Sequence, residues 1–294
     1  MPGIDAMRSA WNGFNAATIA TFGVPGFFRP RSPPPFLALP GSDAALSFYD
    51  TTPLARTLEE LVDFGLIRRG DVRISLGAVN VRTGNSIYFD NRDTSQHALT
   101  ADHVRASGAL PPAFAPVTIA GEQYWDGGIV SNTPLWYVLD DAPQMNALVV
   151  QVDLFSSHGE LPRTLDHVLE RKKDIQYSSK TRFNTRRVKD LAEMRAALER
   201  LLGKLPKAMQ SDPDVVRLGK LCDTGRITIA HLINRRLSHA AQSKDFEFSR
   251  ATVDELWAAG LDDVRRSVAN IASMKARKIG DGMQVFDLTR EPGR

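Results

Sequence analysis

The chain has 294 residues, enough for one large domain or for one domain with an appendage. Hydrophobic residues make up 43% and charged residues 24% of it, which is ordinary for a globular protein. The net charge of +3 indicates no particular charged partner, and Cys222, the one cysteine, excludes an internal disulfide and fits a reducing, cytoplasmic environment.

The first predicted element is a helix over residues 5–21, where apolar side chains recur near helical spacing. Between Arg8 and Arg29 there is no charged residue, so a signal peptide or a membrane segment is the alternative interpretation. That run is interrupted by asparagine, threonine, glycine and proline, and it lacks a dense apolar centre. The pattern therefore favours a buried or half-buried helix that ends at Gly23 and Pro25.

A proline-rich loop over residues 27–36 is predicted next, because successive prolines lack the amide donors that a helix needs. Its aromatic residues indicate that the loop lies on an apolar surface. Thr52-Pro53 opens a helix that runs to about Phe64, and Gly65 is expected to close it.

Two hairpins with a short helix between them are predicted over the following sixty residues or so. The predicted strands and helix span residues 72–81, 86–89, 101–106, 116–119 and 122–125. The second hairpin delivers Asp126 at its end.

An apolar run over residues 147–154 has the length of a strand that is covered on both faces, the pattern of a parallel sheet between helices. Together with the short helix predicted at residues 135–139, it indicates an α/β domain over residues 1–154. Residues 155–294 have a different character and are predicted to form a second, mainly helical α/β domain. Its predicted elements are a helix over 165–202, a strand over 227–233, a helix from Ser249 and a disordered tail after Gly280.

The helix predicted over residues 165–202 is strongly basic, and it includes Arg171-Lys172-Lys173 and Arg186-Arg187. Such a face could hold an anionic membrane surface. Interleaved acidic residues such as Glu170 and Asp174 favour instead a solvated face. Nucleic-acid binding is disfavoured, because no stacking aromatics interleave with the charges.

Residues 124–134, Tyr-Trp-Asp-Gly-Gly-Ile-Val-Ser-Asn-Thr-Pro, carry the strongest chemical signal. Asp126 follows two aromatics and precedes Gly127 and Gly128, which allow positive φ and let another group approach the carboxylate. A carboxylate with reduced solvation is a better base than one in water. The alternative is an ordinary Asp-Gly turn in which the Asp binds its own backbone.

A second block stands upstream, with the spacing Ala-Ser-x-Ala-x-Pro-x-x-Phe-x-Pro. Its residues are Ala106, Ser107, Ala109, Pro111, Phe114 and Pro116. Followed by a short hairpin, by Trp-Asp-Gly-Gly and by Asn132-Thr133-Pro134, this block resembles the patatin-like acyl hydrolases. The region after residue 155, with Gln176-Tyr177-Ser178-Ser179 and Gln242-Ser243-Lys244-Asp245, resembles the extra C-terminal domain, of unassigned role, in a bacterial branch of that family.

The resemblance implies a three-layer α/β/α fold with a mostly parallel sheet, and hydrolysis of lipid or other acyl esters without a cofactor. It assigns Asp126 to the base of a serine–aspartate pair. In the family the serine lies in Gly-x-Ser-x-Gly, and a glycine-rich loop supplies the oxyanion donors. This sequence contains neither, so we expect a chain that lacks the N-terminal βα unit and nucleophile of the family, either as a fragment, which is favoured, or as a shortened pseudoenzyme.

No other residue is a good substitute for the missing nucleophile. Ser107 ends a short helix and is expected to bind local backbone. The six histidines form no triad pattern, and no Cys/His cluster has metal-ligand spacing, so neither a metal nor a cofactor is predicted. The competing hypothesis is a non-catalytic binding or scaffold protein that works through residues 155–294.

Overall fold

The computed structural model describes residues 15–93, 95, 98–140, 146–156, 159–222, 227–234, 249–269 and 283–287. The chain divides into two compact units. Unit 1 comprises Met1–Asn132 and Ser243–Val253, and unit 2 comprises Thr133–Gln242 and Asp254–Arg294. No helix among the described residues is both long enough and apolar enough to cross a membrane.

Unit 1 contains four described helices that lie entirely within it and an antiparallel sheet with the strand order β4-β3-β6-β5. The helices are α1 (Ala16–Phe22), α2 (Thr52–Leu61), α3 (Phe64–Arg68) and α4 (Ala101–Ser107). The sheet strands are β3 (Ser75–Asn80), β4 (Ser86–Asp90), β5 (Val117–Ile119) and β6 (Glu122–Asp126). Both predicted hairpins are confirmed, and a two-stranded pairing of β1 (Arg29–Pro30) with β2 (Tyr49–Asp50) is added.

The segment after α2 differs from the prediction that Gly65 ends this helix. The helix stops at Leu61, and Val62 follows it in an extended conformation. Asp63 then caps a new helix, because its Oδ1 accepts the Leu66 amide hydrogen at 2.9 Å. Gly65 therefore lies inside α3. Of the predicted N-terminal helix, the structure describes α1, which Asn15 caps through Thr18 N, and residues 5–14 lie outside the described part.

The core of unit 1 lies between α4 and the sheet. Phe89 is central to it, with its ring edge-to-face against Tyr124 at 5.2 Å and against His103 at 4.6 Å. The buried members are Ala78, Phe89, Leu99, Ala106, Ala109, Val117 and Tyr124. This packing holds α4 and β6, the elements that carry both sequence blocks, on one sheet.

The proline-rich segment is a loop, as predicted, but its aromatic residues separate. Phe28 is buried and packs edge-to-face against Tyr49 at 4.9 Å and Phe114 at 5.2 Å. Phe36, by contrast, is 79% exposed. The expectation that the whole loop lies on an apolar surface is therefore wrong for its distal part.

Unit 2 contains a parallel sheet with the strand order β7-β8-β9, where β7 is Ala147–Asp153, β8 is Ile227–Ile233 and β9 is Met283–Asp287. Its helices are α5 (Leu135–Asp140), α6 (Leu165–Leu202) and α7 (Pro213–Cys222), and α8 (Arg250–Ala269) follows with most of its length in this unit. The predicted mixture of helices with a parallel sheet is confirmed, and the fold is of the α/β class.

Two expectations for this sheet are wrong. Residues after Gly280 were expected to be disordered, yet β9 pairs in parallel with β8. The apolar run of β7 was expected to be covered on both faces, but only one face is covered. Leu135 of α5 packs there with Ile229 and Val149. Leu148, Val150 and Val152 on the opposite face are 62%, 55% and 59% exposed.

Candidate active site

Asp126 is the last residue of β6, where the strand passes into a short 3₁₀ turn, Gly127–Ile129. Its position is fixed by backbone contacts on two sides. In the sheet register it lies opposite Ala78 of β3. Its amide hydrogen is donated to the Ala109 carbonyl oxygen at 3.0 Å. The two sequence blocks that were recognised separately therefore meet at this residue.

The Asp126 carboxylate is half-buried and has one hydrogen bond among the described residues. Its Oδ1 accepts the Gly128 amide hydrogen at 2.7 Å. Burial raises the pKa of this carboxyl group above its usual value, and the Gly128 N–H only partly offsets the effect. The bond to Gly128 N–H is the local backbone contact of an Asp-Gly turn, the alternative that the sequence left open. The raised pKa means that the carboxylate takes a proton more readily than one in water.

The tandem glycines serve a close approach and not a left-handed turn. Neither Gly127 nor Gly128 has a positive φ, contrary to the conformational reason predicted from the sequence. A Cβ on Gly127 would lie 2.6 Å from the Gly77 carbonyl carbon of β3. A Cβ on Gly128 would lie 3.0 Å from Asp126 Oδ1, so the absent side chain leaves room for the carboxylate.

The Ala-Ser block forms the platform behind this turn. Ala106 and Ala109 are buried in the core, and their small size lets α4 lie close to the sheet. Phe114 packs against Phe28 and Tyr49. Pro111 and Pro116 belong to the irregular segment between α4 and β5, whose neighbouring carbonyls at Pro112 and Ala113 accept hydrogen bonds from Phe48 N and Tyr49 N.

Ser107 does not pair with the carboxylate. It is the last residue of α4 and is partly buried, and in the described part of the chain no hydrogen bond joins its hydroxyl to Asp126. In the described structure Ser107 is therefore not hydrogen-bonded to the candidate base.

Two buried polar atoms beside the turn have no hydrogen-bond partner in the described part of the chain, Trp125 Nε1 and Asn132 Oδ1. Asn132 lies close to the glycine pair, because its Cβ is 3.7 Å from the place a Gly128 Cβ would take. Pro134 precedes helix α5, and its carbonyl accepts the Val138 amide hydrogen. The aromatic walls predicted for the carboxylate are not both present, since the Tyr124 ring is in the core against Phe89.

Sequence reasoning missed Gly77 and the Ala109 carbonyl. Both act through backbone atoms, so no side-chain pattern in the sequence indicates them. Within the described ranges, no group of three or more His, Cys, Asp or Glu side chains is arranged to hold a metal ion.

Comparison with known protein families agrees with this architecture. Residues 6–139 match the family described as patatin-like phospholipase, and residues 175–278 match the family described as patatin phospholipase. A comparison with curated proteins finds no match. The two family matches together cover most of the chain, which therefore belongs to the patatin-like phospholipases, a family of lipid acyl hydrolases that act on lipid esters.

Proposed function

We propose that this protein takes part in the hydrolysis of carboxylic esters of lipids, with Asp126 as the general base of a serine–aspartate pair. One observation carries the proposal, namely the half-buried carboxylate whose pKa is raised by burial. Its Oδ1 is held by the Gly128 N–H, and in the described residues Oδ2 has no hydrogen bond. That oxygen is the one that would accept a proton from a serine hydroxyl.

The reaction that this carboxylate suits has two halves. The serine oxygen attacks the ester carbonyl while its proton passes to Asp126, and the protonated Asp126 then gives that proton to the leaving alcohol. Water next attacks the acyl-enzyme, with Asp126 taking one of its protons and returning it to the serine oxygen. The oxyanion in each half needs N–H donors, which the family resemblance assigns to a glycine-rich loop.

The serine nucleophile is proposed to come from polypeptide other than these 294 residues. The printed sequence contains no Gly-x-Ser-x-Gly, and Ser107 has no hydrogen bond to Asp126 in the described structure. The chain by itself is therefore expected to turn over little or no ester.

The test compares two proteins, the 294-residue chain and the same chain extended by any in-frame upstream coding sequence. Each is assayed on short-chain p-nitrophenyl esters and with a fluorophosphonate probe that labels activated serines. We expect the extended protein, and not the 294-residue chain, to hydrolyse ester and to be labelled by the probe. In the extended protein, Asp126→Asn is expected to lower turnover about 10²–10⁴-fold. Turnover by the extended protein that survives Asp126→Asn would show that Asp126 is not the base.

A second candidate is a non-catalytic binding or scaffold protein, favoured by the absence of the serine motif from the sequence. In that case no upstream reading frame supplies a nucleophile. Asp126→Ala then leaves the cellular phenotype unchanged, whereas deletion of residues 155–294 abolishes it. Under the hydrolase proposal, Asp126→Ala by itself produces the phenotype of the deletion.

Two further parts of the sequence interpretation stay proposals. One is the division into a hydrolase domain over residues 1–154 and a second domain over residues 155–294. The other is peripheral contact of α6 with an anionic membrane through its basic side chains, among which Lys172 is exposed.

A further inference from the structure

The distal part of the proline-rich segment exposes an unusual amount of apolar surface. We call residues 32–48 the apolar loop. Phe36, Leu37 and Leu39 are 79%, 70% and 81% exposed, and Leu46 and Phe48 are also exposed. No charged residue occurs from position 32 through position 42. Single exposed apolar side chains are common, but a cluster of five within one loop marks an interaction surface.

The apolar loop is a built structure with its two ends fastened together. Arg31 N donates to the Phe48 carbonyl at 3.0 Å, and Arg31 Nε donates to Ser47 Oγ at 2.8 Å. At its tip two 3₁₀ turns, Pro35–Leu37 and Asp43–Leu46, pack against each other. Consecutive prolines fix φ, so the exposed side chains lose little backbone freedom when they bind a partner.

The same loop is joined to the candidate site through the Ala-Ser block. Phe48 N donates to the Pro112 carbonyl at 3.2 Å, and Tyr49 N donates to the Ala113 carbonyl at 3.0 Å. A few residues earlier in that segment, the Ala109 carbonyl accepts the Asp126 amide hydrogen. Five consecutive residues thus connect the base of the apolar loop to the carboxylate.

The arrangement of charge identifies the partner. Within residues 29–48 the charged side chains are Arg29, Arg31 and Asp43. Both cations lie at the base of the loop, residues 32–42 carry no charge, and the one carboxylate is at the start of the second 3₁₀ turn. Asp50 neutralises Arg29 at 3.0 Å, while Arg31 makes no ion pair in the described part of the chain. Exposed apolar side chains at Phe36, Leu37 and Leu39, with a guanidinium at the base of the same loop, follow the order of acyl chains and phosphates in a phospholipid layer.

We propose that the apolar loop docks this protein on a phospholipid bilayer, with Phe36, Leu37 and Leu39 in the acyl region and Arg31 at the phosphates. This inference rests on the proposed hydrolase function for its choice of a lipid partner. Docking at this loop brings lipid esters to the unit that carries Asp126. It uses a different surface from the basic face of α6.

The experiment measures flotation of the purified chain with vesicles of phosphatidylcholine, with and without phosphatidylglycerol. The test variant is the double substitution Phe36→Ser with Leu39→Ser. The matched control is Val72→Ser, which removes another exposed apolar side chain of unit 1, 72% exposed and outside the loop. Thermal unfolding and circular dichroism of each variant establish that it is folded.

We expect wild type and Val72→Ser to float with both vesicles, and the double variant to lose about tenfold or more in partitioning. Arg31→Ser lowers binding a few-fold with phosphatidylglycerol present and less without it. Undiminished binding of the folded double variant overturns the proposal. The proposal is also overturned if Lys172→Ser, and not the double variant, abolishes vesicle binding. It is equally overturned if sedimentation shows that the loop joins two copies of the chain.

The outcome is separable from that of the hydrolase proposal. Vesicle binding needs no nucleophile, so Asp126→Asn is expected to float like wild type. Docking without hydrolysis in the extended protein overturns the catalytic role and leaves the loop assignment standing. Hydrolysis of short soluble esters without vesicle binding overturns the loop assignment and leaves the catalytic role of Asp126 standing.

Discussion

At position 127 a hydrogen atom in place of a side chain is what lets the end of β6 lie against β3. The Gly77 carbonyl carbon is 2.6 Å from the place that a Cβ would take, and both partners are main chain. Neither strand can shift without breaking the register that sets Asp126 opposite Ala78. The first glycine of the pair is therefore required by packing.

Replacing Gly127 by alanine is expected to lower the free energy of unfolding by about 2 kcal/mol or more, because the added methyl overlaps fixed backbone. Urea denaturation measures the change. The control is Gly108→Ala, where φ is −108° and the nearest atom to an added Cβ is 3.8 Å away. We expect that control to stay within about 0.5 kcal/mol of wild type, and equal stability of the two variants would refute the packing argument.

Asp126 itself is expected to cost stability at neutral pH. Burial raises its pKa in the folded state above the unfolded value, so folding binds its proton more tightly and ionisation opposes folding. Asp126→Asn removes the ionised group, so the variant should melt at a higher temperature than wild type near pH 7.

The difference in melting temperature should shrink as pH falls through the folded pKa of Asp126 and vanish below its unfolded pKa, about 4. Melting temperatures of wild type and Asp126→Asn over that pH range test the sign. A difference that widens toward acid would mean that the ionised carboxylate stabilises the fold, and the picture of a desolvated base would fail.

Among the elements, the parallel strand β7 shows the largest departure from its sequence pattern. A run of six apolar residues among eight reads as a strand covered on both faces. In the structure Val149 packs toward Leu135 and Ile229, while Val150 is exposed. The covered face carries Val149 and Gln151, whereas the open face carries Leu148, Val150 and Val152, so the more apolar side of the strand is the exposed one and the sequence pattern does not reveal it.

The two faces should differ sharply in tolerance to substitution. Ile229 is fully buried and pairs with Val149 in the sheet. Ile229→Ala is expected to lower the free energy of unfolding by about 2–5 kcal/mol. Val150→Thr keeps the branched shape on the open face and should change stability by less than about 0.5 kcal/mol. Chemical denaturation of both variants decides the matter. A Val150→Thr variant as unstable as Ile229→Ala would mean that the open face is covered.

Helix boundaries illustrate a different limit. The apolar spacing of α2 predicts its existence, but it does not reveal that Val62 becomes extended and that Asp63 starts a second helix. A short polar residue before a helical turn is an N-cap signal, and it outweighed the glycine two positions later. Capping by one hydrogen bond is a local event that competes with periodicity over a single turn.

On the scale of the molecule, the chain consists of two compact units, and each has an apolar core of its own. Separate cores allow separate unfolding, because removing contacts in one core leaves those in the other intact. The family matches, over residues 6–139 and 175–278, each include residues of both units.

Calorimetry is accordingly expected to show more than one unfolding transition. Ile229→Ala should lower the transition of unit 2, and Phe89→Leu, which removes the ring between Tyr124 and His103, should lower that of unit 1. A single transition that both variants shift equally would show that the units unfold together.

The sequence by itself determined much of the candidate site and many of the elements. Alternating strands, turns and short helices follow from contacts between near neighbours in the chain, so both hairpins and α4 were predictable. Residue spacing and the family resemblance placed Asp126 at the end of a strand beside two glycines. The role of Asp126 as a base stays a prediction.

Only the tertiary structure decided what those residues touch. The contact of Gly127 with the Gly77 backbone, the hydrogen bond from Asp126 to Ala109, the pairing of β9 with β8 and the exposure of Phe36 all depend on segments distant in sequence. Contacts made by backbone atoms cannot be recognised from residue types, because the main chain is nearly the same at every position. Burial cannot be read from residue types either, because it depends on which other segments pack against the residue. The raised pKa of Asp126 follows from that burial, so it too depends on the tertiary structure.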